Sequence, residues 1–236
     1  MSNTFFNFKQ FSIHQDRCAM KVSTDACIQG AWTPIYDGVK VVLDIGTGTG
    51  LLSLMLVQRN SSVNIDAIEL DADAAQQASE NFSASLWNNR LEVINADVRE
   101  HLFSKQYDMV ICNPPFFSNS LLGDDDKRNA VRHNLSLGFD DLFNAINNAL
   151  KPEGYASVLL PAAEHEVWTG IVEKQGWYIN TRLNIIPKAG QQYNRVVSVC
   201  SRKQIPASVE TMQIYDSPSG YTTGFTELLQ PFYQKL

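Results

Sequence analysis

The chain has 236 residues, 44% of them apolar, and a formal net charge of −6 from 19 Lys and Arg against 25 Asp and Glu. That size and composition match one soluble globular domain with a normal core. The charge excludes a protein held on nucleic acid by bulk positive field but leaves room for a local basic face.

Taken in chain order, Met1 to Gln10 carries three phenylalanines but no basic segment followed by an apolar stretch, so it does not read as a signal peptide. Residues 1–35 do not follow a strand–helix rhythm, and Thr24 to Trp32 reads as a short helix. We expect 1–35 to be an extension lying over the carboxyl ends of the strands, and 36–236 to be one domain. From there, apolar runs alternate with helical patterns, as in an α/β sheet of mostly parallel strands. The expected strands are Val39 to Asp44, Val63 to Glu69, Leu91 to Asn95, Tyr107 to Cys112 and Tyr155 to Leu160. Each is short and rich in Val, Ile or Leu, as a strand buried on both faces should be. Helices are expected over Leu51 to Gln58, Ala72 to Leu86, Asp140 to Leu150 (ended by the turn Lys151-Pro152-Glu153-Gly154) and Glu164 to Lys174. Tyr178 to Ile186 and Arg195 to Ser201 read as an antiparallel pair at one edge, and Thr223 to Leu236 as a short helix interrupted by Pro231. No apolar run is long enough to span a membrane. Cys18, Cys27, Cys112 and Cys200 are scattered, with no C-x-x-C pair. That argues against structural zinc and a disulfide framework, and for a reduced, cytoplasmic protein without metal.

Asp44-Ile45-Gly46-Thr47-Gly48-Thr49-Gly50 is the most informative segment. A buried strand runs into a loop with glycines at alternate positions and then into a helix, so backbone and helix N-terminus can approach a ligand closely. The spacing is G-x-G-x-G, whereas the dinucleotide fingerprint is G-x-G-x-x-G. Asp44 can accept from loop N–H groups or bind the cationic end of a ligand; a pyrophosphate would be repelled there. Glu69, about 20 residues on at the end of the second strand, suits ribose hydroxyls, with helix capping as the plainer alternative. Asp97 ends the third strand and can accept from an adenine amino group or cap the next turn.

These three motifs resemble those of class I S-adenosylmethionine-dependent methyltransferases. The resemblance covers roughly residues 39–201 and implies a Rossmann-like, seven-stranded, mostly parallel sheet with helices on both faces and an antiparallel last strand. It implies that Asp44, Gly46, Gly48 and Gly50 hold the methionine part of the cofactor, Glu69 the ribose and Asp97 the adenine.

Asn113-Pro114-Pro115-Phe116 follows the fourth strand directly. Two prolines end the ladder and stiffen the turn. The Asn113 amide oxygen and the Pro114 carbonyl can each accept one N–H of an exocyclic amine, freeing its conjugated lone pair for an electrophilic methyl. Phe116 can stack on an extruded base. Taken alone, the tetrapeptide is also compatible with an ordinary proline turn. It resembles the fourth motif of amino-methyltransferases, which act on adenine, cytosine, guanine or glutamine amides.

The flanks narrow the resemblance. The segment from Phe5 to Gln15, then Cys18-Ala19-Met20-Lys21-Val22-Ser23-Thr24-Asp25-Ala26, is similar to the N-terminus of bacterial tRNA adenine-N6 methyltransferases, which modify the adenosine beside the anticodon of a valine tRNA. Ala130 to Leu137, Pro187-Lys188 and Asn194-Arg195-Val196 fit the same family, whereas Ser23 stands where it often has glycine. The resemblance implies a cofactor role for Lys21, Thr24 (which could also cap the next helix) and Asn113, and tRNA as partner. The loop 118–134 and the hairpin supply the candidate RNA contacts Lys127, Arg128, Arg132, His133, Lys188 and Arg195. A monomer is expected. Competing readings are a methyltransferase acting on rRNA guanine N2, DNA adenine or a protein glutamine, a non-catalytic cofactor-binding module, and a dinucleotide oxidoreductase.

Overall fold

The computed structural model describes residues 3–114, 137–217 and 220–236. A small hairpin, β1 (Phe5–Asn7) and β2 (Ser12–His14), leads into α1 (Thr24–Trp32). Next come β3 (Val41–Ile45), α2 (Leu51–Arg59), β4 (Asn64–Glu69), α3 (Ala72–Ser83), β5 (Leu91–Asn95) and β6 (Tyr107–Cys112). Beyond residue 136 lie α4 (Phe139–Ala149), β7 (Leu150–Pro161), α5 (Ala162–Lys174), β8 (Tyr178–Lys188), β9 (Arg195–Ser201), β10 (Ser208–Ser217), β11 (Gly220–Tyr221) and α6 (Thr223–Leu229).

Among the described residues, nine strands form one sheet in the order β11-β10-β8-β9-β7-β6-β3-β4-β5. β3 to β7 run parallel, and β9 runs antiparallel to both β7 and β8. The seven expected strands are therefore present, and the last of them, β9, is the reversed one. The antiparallel pair is not the edge, however: β10 adds parallel to β8, and β11 adds antiparallel to β10. β10 lacks the signal of a buried strand, because Ile214 alone of its residues is buried.

Two further boundaries differ from expectation. α3 stops at Ser83 rather than Leu86, since the Ser85 hydroxyl donates to the Phe82 carbonyl (2.8 Å) and accepts from Trp87 N–H (3.2 Å), drawing the chain out of the helix. The expected turn 151–154 lies inside β7 as a bulge: Leu150 pairs with Tyr107, and the next partners are Tyr155 and Met109. Gly154 fits this bulge because a Cβ there would lie 2.8 Å from Leu150 Cδ2 and 3.1 Å from the Asp108 carbonyl oxygen.

The sheet is covered on both faces. Phe8, Phe11, Ile13, Leu54, Met55 and Phe225 belong to one core layer, which takes in α1, α2 and α6; Leu142, Ile146, Trp168 and Val172 belong to the other, under α4 and α5. Residues before β3 thus share the main core. α1 has no basic residue in its last turn. Arg59 of α2 supplies one, donating from Nη1 to the carbonyls of Gly30 (2.8 Å) and Thr33 (2.7 Å). The first strand also meets the tail: Phe8 bridges Tyr233, and Lys9 N–H donates to the Phe232 carbonyl at 2.7 Å. Among the described residues no helix is long and apolar enough to cross a membrane.

His165 on α5 is buried, and neither ring nitrogen has a hydrogen-bond partner. Burial pushes its pKa from 6.5 down to about 4, nearby Arg182 adds to the depression and Glu166 opposes it. The unfolded chain therefore binds a proton that the folded chain refuses between those two values, so stability is lost as pH falls from 6.5 toward 4. Thermal melts should show His165→Leu losing less Tm than the parent across that window. Parallel profiles would contradict the assignment.

Candidate active site

β3 sits between β4 and β6, where the direction of strand succession reverses, and ligands of open α/β sheets lie outside the carboxyl ends at such a point. A cavity of about 550 Å³ occupies this place, within the size range of small-molecule sites. Gly46 at the end of β3, Glu69 to Ala72 after β4, Ala96 to Arg99 after β5, and Cys112 and Pro114 at the end of β6 line it, with Leu137.

The glycine loop is closed by its own hydrogen bonds. Gly46 and Thr47 N–H both donate to the Ile68 carbonyl (2.8 and 3.2 Å), and Gly50 N–H donates to the Thr47 carbonyl (2.9 Å). Gly48 N–H donates to Glu69 Oε2 at 2.9 Å. Four of the loop N–H groups that would otherwise cradle a phosphate are thus engaged within the protein. Gly46, Gly48 and Gly50 all have positive φ.

Asp44 is fully buried near the end of β3. Its Oδ2 accepts from Thr47 Oγ1 and Ser53 Oγ, each at 2.7 Å, whereas Oδ1 has no hydrogen-bond partner. Burial raises its pKa from 3.8 to about 6 against the pull of the two hydroxyls, and the Glu69 charge adds to the rise. Glu69 divides its work between the loop and the chain that follows, since its Oε1 accepts from Asp71 N–H at 3.0 Å. The cap of α3 is Asp71, which accepts from Ala74 N–H at 2.9 Å.

Asp97 carries both a turn and a clamp. Its Oδ1 accepts from Arg99 N–H at 2.9 Å, and the Arg99 side chain grips both oxygens, Nε at 2.9 and 3.0 Å and Nη2 at 2.5 Å. The Arg99 hydrogen bonds hold this carboxyl below the usual range despite some desolvation. Asn113 follows β6, and its Oδ1 is buried without a hydrogen-bond partner. Pro114, beside it, lines the cavity. Pro115, Phe116, Lys127, Arg128, Arg132 and His133 lie outside the described residues.

Several sequence candidates are not among the residues that line the cavity: Asp44 and Asn113 adjoin lining residues in the chain without lining it themselves, and Gly48, Gly50, Lys21, Thr24, Lys188 and Arg195 do not line it either. Lys21 is exposed and donates to the Asn3 carbonyl at 3.3 Å. Thr24 is the first residue of α1, not its cap: the extended Ser23 takes that place and accepts from Ala26 N–H at 3.2 Å. The serine that departs from the glycine of the resemblance thus satisfies a helix-end donor. Lys188 ends β8, exposed, and Arg195 opens β9, paired with Asp25 of α1 at 3.1 Å. Arg99 and Ser53 were not anticipated. The signal for Arg99 was its spacing, two residues after an acid at a strand end, whereas nothing local marked Ser53.

A family model described as methyltransferase small domain matches residues 35–135. The tRNA1(Val) (adenine(37)-N6)-methyltransferase of Dyadobacter fermentans is 40% identical over 99% of this chain and 98% of its own length. This chain belongs to that methyltransferase family. The same name is borne by a relative from Tolumonas auensis, 40% identical over 100% of this chain and 99% of its own. In fold, the family member is similar to a predicted O-methyltransferase of Agrobacterium tumefaciens, with a TM-score of 0.67 at 16% identity, covering 88% of this chain and 96% of that one.

Proposed function

We propose that the protein transfers a methyl group from S-adenosylmethionine to the exocyclic N6 amine of an adenosine in tRNA, the one beside the anticodon of a valine tRNA. The observation that carries the methylation of an amine is the buried, unpartnered Asn113 Oδ1 at the carboxyl end of β6, next to a cavity that Glu69, Asp71 and Asp97 help to line; the tRNA adenosine as substrate is supported by the name the relatives share. The residues fit the cofactor. Asp44, with an unpartnered buried oxygen, and the backbone of Gly46, Gly48 and Gly50 suit its cationic methionine end; Glu69 suits the ribose and Asp97 the adenine. Lys21 and Thr24 would close over it from the segment 1–35, and 36–236 would carry the catalytic machinery. Engagement of the loop N–H groups and the neighbouring carboxylates disfavours a pyrophosphate, and so the oxidoreductase alternative.

When bound, S-adenosylmethionine supplies an electrophilic methyl on a sulfonium. The protein's part is to orient the amine: Asn113 Oδ1 and the Pro114 carbonyl accept its two hydrogens, so the lone pair leaves conjugation with the ring. Pro115 stiffens the turn and Phe116 stacks on the base. No metal, covalent enzyme intermediate or strong base is needed, since the nitrogen loses its proton after alkylation. Positioning and fixed dipoles supply the acceleration. Lys127, Arg128, Arg132, His133, Lys188 and Arg195 are the residues we assign to contact with the RNA. We expect a monomer working in the cytoplasm with tRNA.

The test is to incubate tRNA from a strain lacking the gene with purified protein and labelled S-adenosylmethionine, then digest it to nucleosides for mass spectrometry. Labelled N6-methyladenosine is the expected product. Cofactor binding with no label in tRNA would move the substrate to ribosomal RNA or protein glutamine. Cofactor affinity should also weaken about tenfold between pH 7.5 and 5, as Asp44 takes up a proton below about 6. In Asp44→Asn, calorimetry should find that slope gone and the affinity low throughout; an unaltered slope would remove Asp44 from the cofactor site.

A further inference from the structure

Gln29 is an amide with 0% exposure on α1, a helix whose other buried residues are Ala26, Cys27, Ile28, Gly30 and Ala31. Its Nε2 donates to the Cys112 carbonyl at 3.0 Å and to the Ser157 carbonyl at 3.3 Å. Its Oε1 is buried without a partner. A position that asked only for packing would be better served by Leu or Met, because an unpaired buried acceptor is destabilising. The destination of the two donors explains the choice. The Cys112 carbonyl belongs to the peptide group that joins Cys112 to Asn113, at the last residue of β6. Holding that oxygen fixes the plane of this peptide, and with it the direction in which Asn113 leaves the strand. The Ser157 carbonyl, on β7, anchors the same amide to the neighbouring strand, beside a second link of α1 to β7: Thr33 Oγ1 lies 2.8 Å from Ser157 Oγ.

We propose that Gln29 is a positioning residue for methyl transfer: its amide sets the Cys112–Asn113 peptide so that the Asn113 side chain faces the substrate amine. The proposal rests on the role given above to Asn113. It adds to the apparatus a fully buried residue of α1, a helix none of whose residues lines the cavity. A displacement of the acceptor by about 1 Å is enough to cost up to about 10²-fold in rate.

The experiment uses the full chain with tRNA and compares Gln29→Met, Gln29→Glu and Asn113→Ala with the parent. In Gln29→Met, the single-turnover rate at saturating tRNA and S-adenosylmethionine should fall at least tenfold, with cofactor Kd within twofold and Tm preserved. A rate within twofold of the parent, or a loss confined to Kd and Tm, overturns the proposal. Gln29→Glu gives a second readout that also serves if Gln29→Met does not fold. A buried carboxyl can donate to the Cys112 carbonyl only when protonated, so its rate relative to the parent should rise at least threefold from pH 8 to 5.5; a flat ratio overturns the proposal. An inactive Asn113→Ala beside a fully active Gln29→Met sinks the Gln29 role alone. An active Asn113→Ala sinks the reading on which it rests.

Discussion

Asn113→Ala is expected to lower single-turnover methyl transfer about 10²- to 10³-fold, the cost of removing one preorganised dipole from a transition state, while cofactor Kd stays within a few-fold. An exocyclic amine on adenine is a poor nucleophile because its lone pair is shared with the ring. An acceptor fixed on its N–H pulls the nitrogen toward tetrahedral geometry. Asn113 Oδ1 is suited to this because it is buried and has no hydrogen bond to give up. Pro114 restricts the backbone of Asn113 to extended conformations, so the amide needs no reorganisation at the moment of reaction. Rapid-quench kinetics and calorimetry on one preparation separate the two quantities. Loss of cofactor binding in the variant would show that Asn113 builds the cofactor site instead, and retained rate would remove it from catalysis.

Gly50→Ala should be the most damaging single-methyl change in the cofactor loop. Gly50 is the N-cap of α2 with φ 83°, a left-handed conformation that costs a residue with a Cβ about 1–2 kcal/mol. Its Cβ would also overlap the edge of the buried Phe82 ring, and overpacking of that kind adds about 1–3 kcal/mol. Together these lower Tm by roughly 10 °C for a chain of this size and displace the loop that Glu69 holds through Gly48. Gly46→Ala is the internal control: φ is 67° there, but nothing lies within 4 Å of the added Cβ. It should show the backbone strain alone, with a smaller Tm loss in scanning calorimetry. Equal losses in the two variants would mean that contact with Phe82 is not the cause.

The parts of the fold legible in the sequence are those fixed by burial. β3, β4 and β6 are short, largely apolar runs because helices cover them on both faces, and a polar residue stands at or next to the carboxyl end of each: Asp44 one before the end of β3, Glu69 at the end of β4, Asn113 one after the end of β6. Strand ends bearing such residues are where a parallel sheet meets its ligand, so the candidate site could be read from the same pattern. β10 escaped because an exposed strand such as Ser208–Ser217 need not look apolar. The 151–154 bulge escaped because Pro and Gly mark a turn equally well in a loop and inside a strand. Arg99 and Gln29 escaped for another reason. Their importance lies in which carboxylate or carbonyl the fold brings to them, and no local pattern encodes that.

The meeting of Phe8 with Tyr233 bears on how the chain is made. Lys9 Nζ donates to the Gln230 carbonyl, 221 positions later in the chain. During synthesis the hairpin can settle early on α3, where Asn81 pairs with the His14 backbone at 2.9 Å in both directions, but its contacts with residues 230–233 wait until those residues emerge. Until Phe225 and Phe232 arrive, Phe8 and Phe11 lack part of the layer that buries them, and α1 lacks its packing against α6. Contacts so distant in sequence form late.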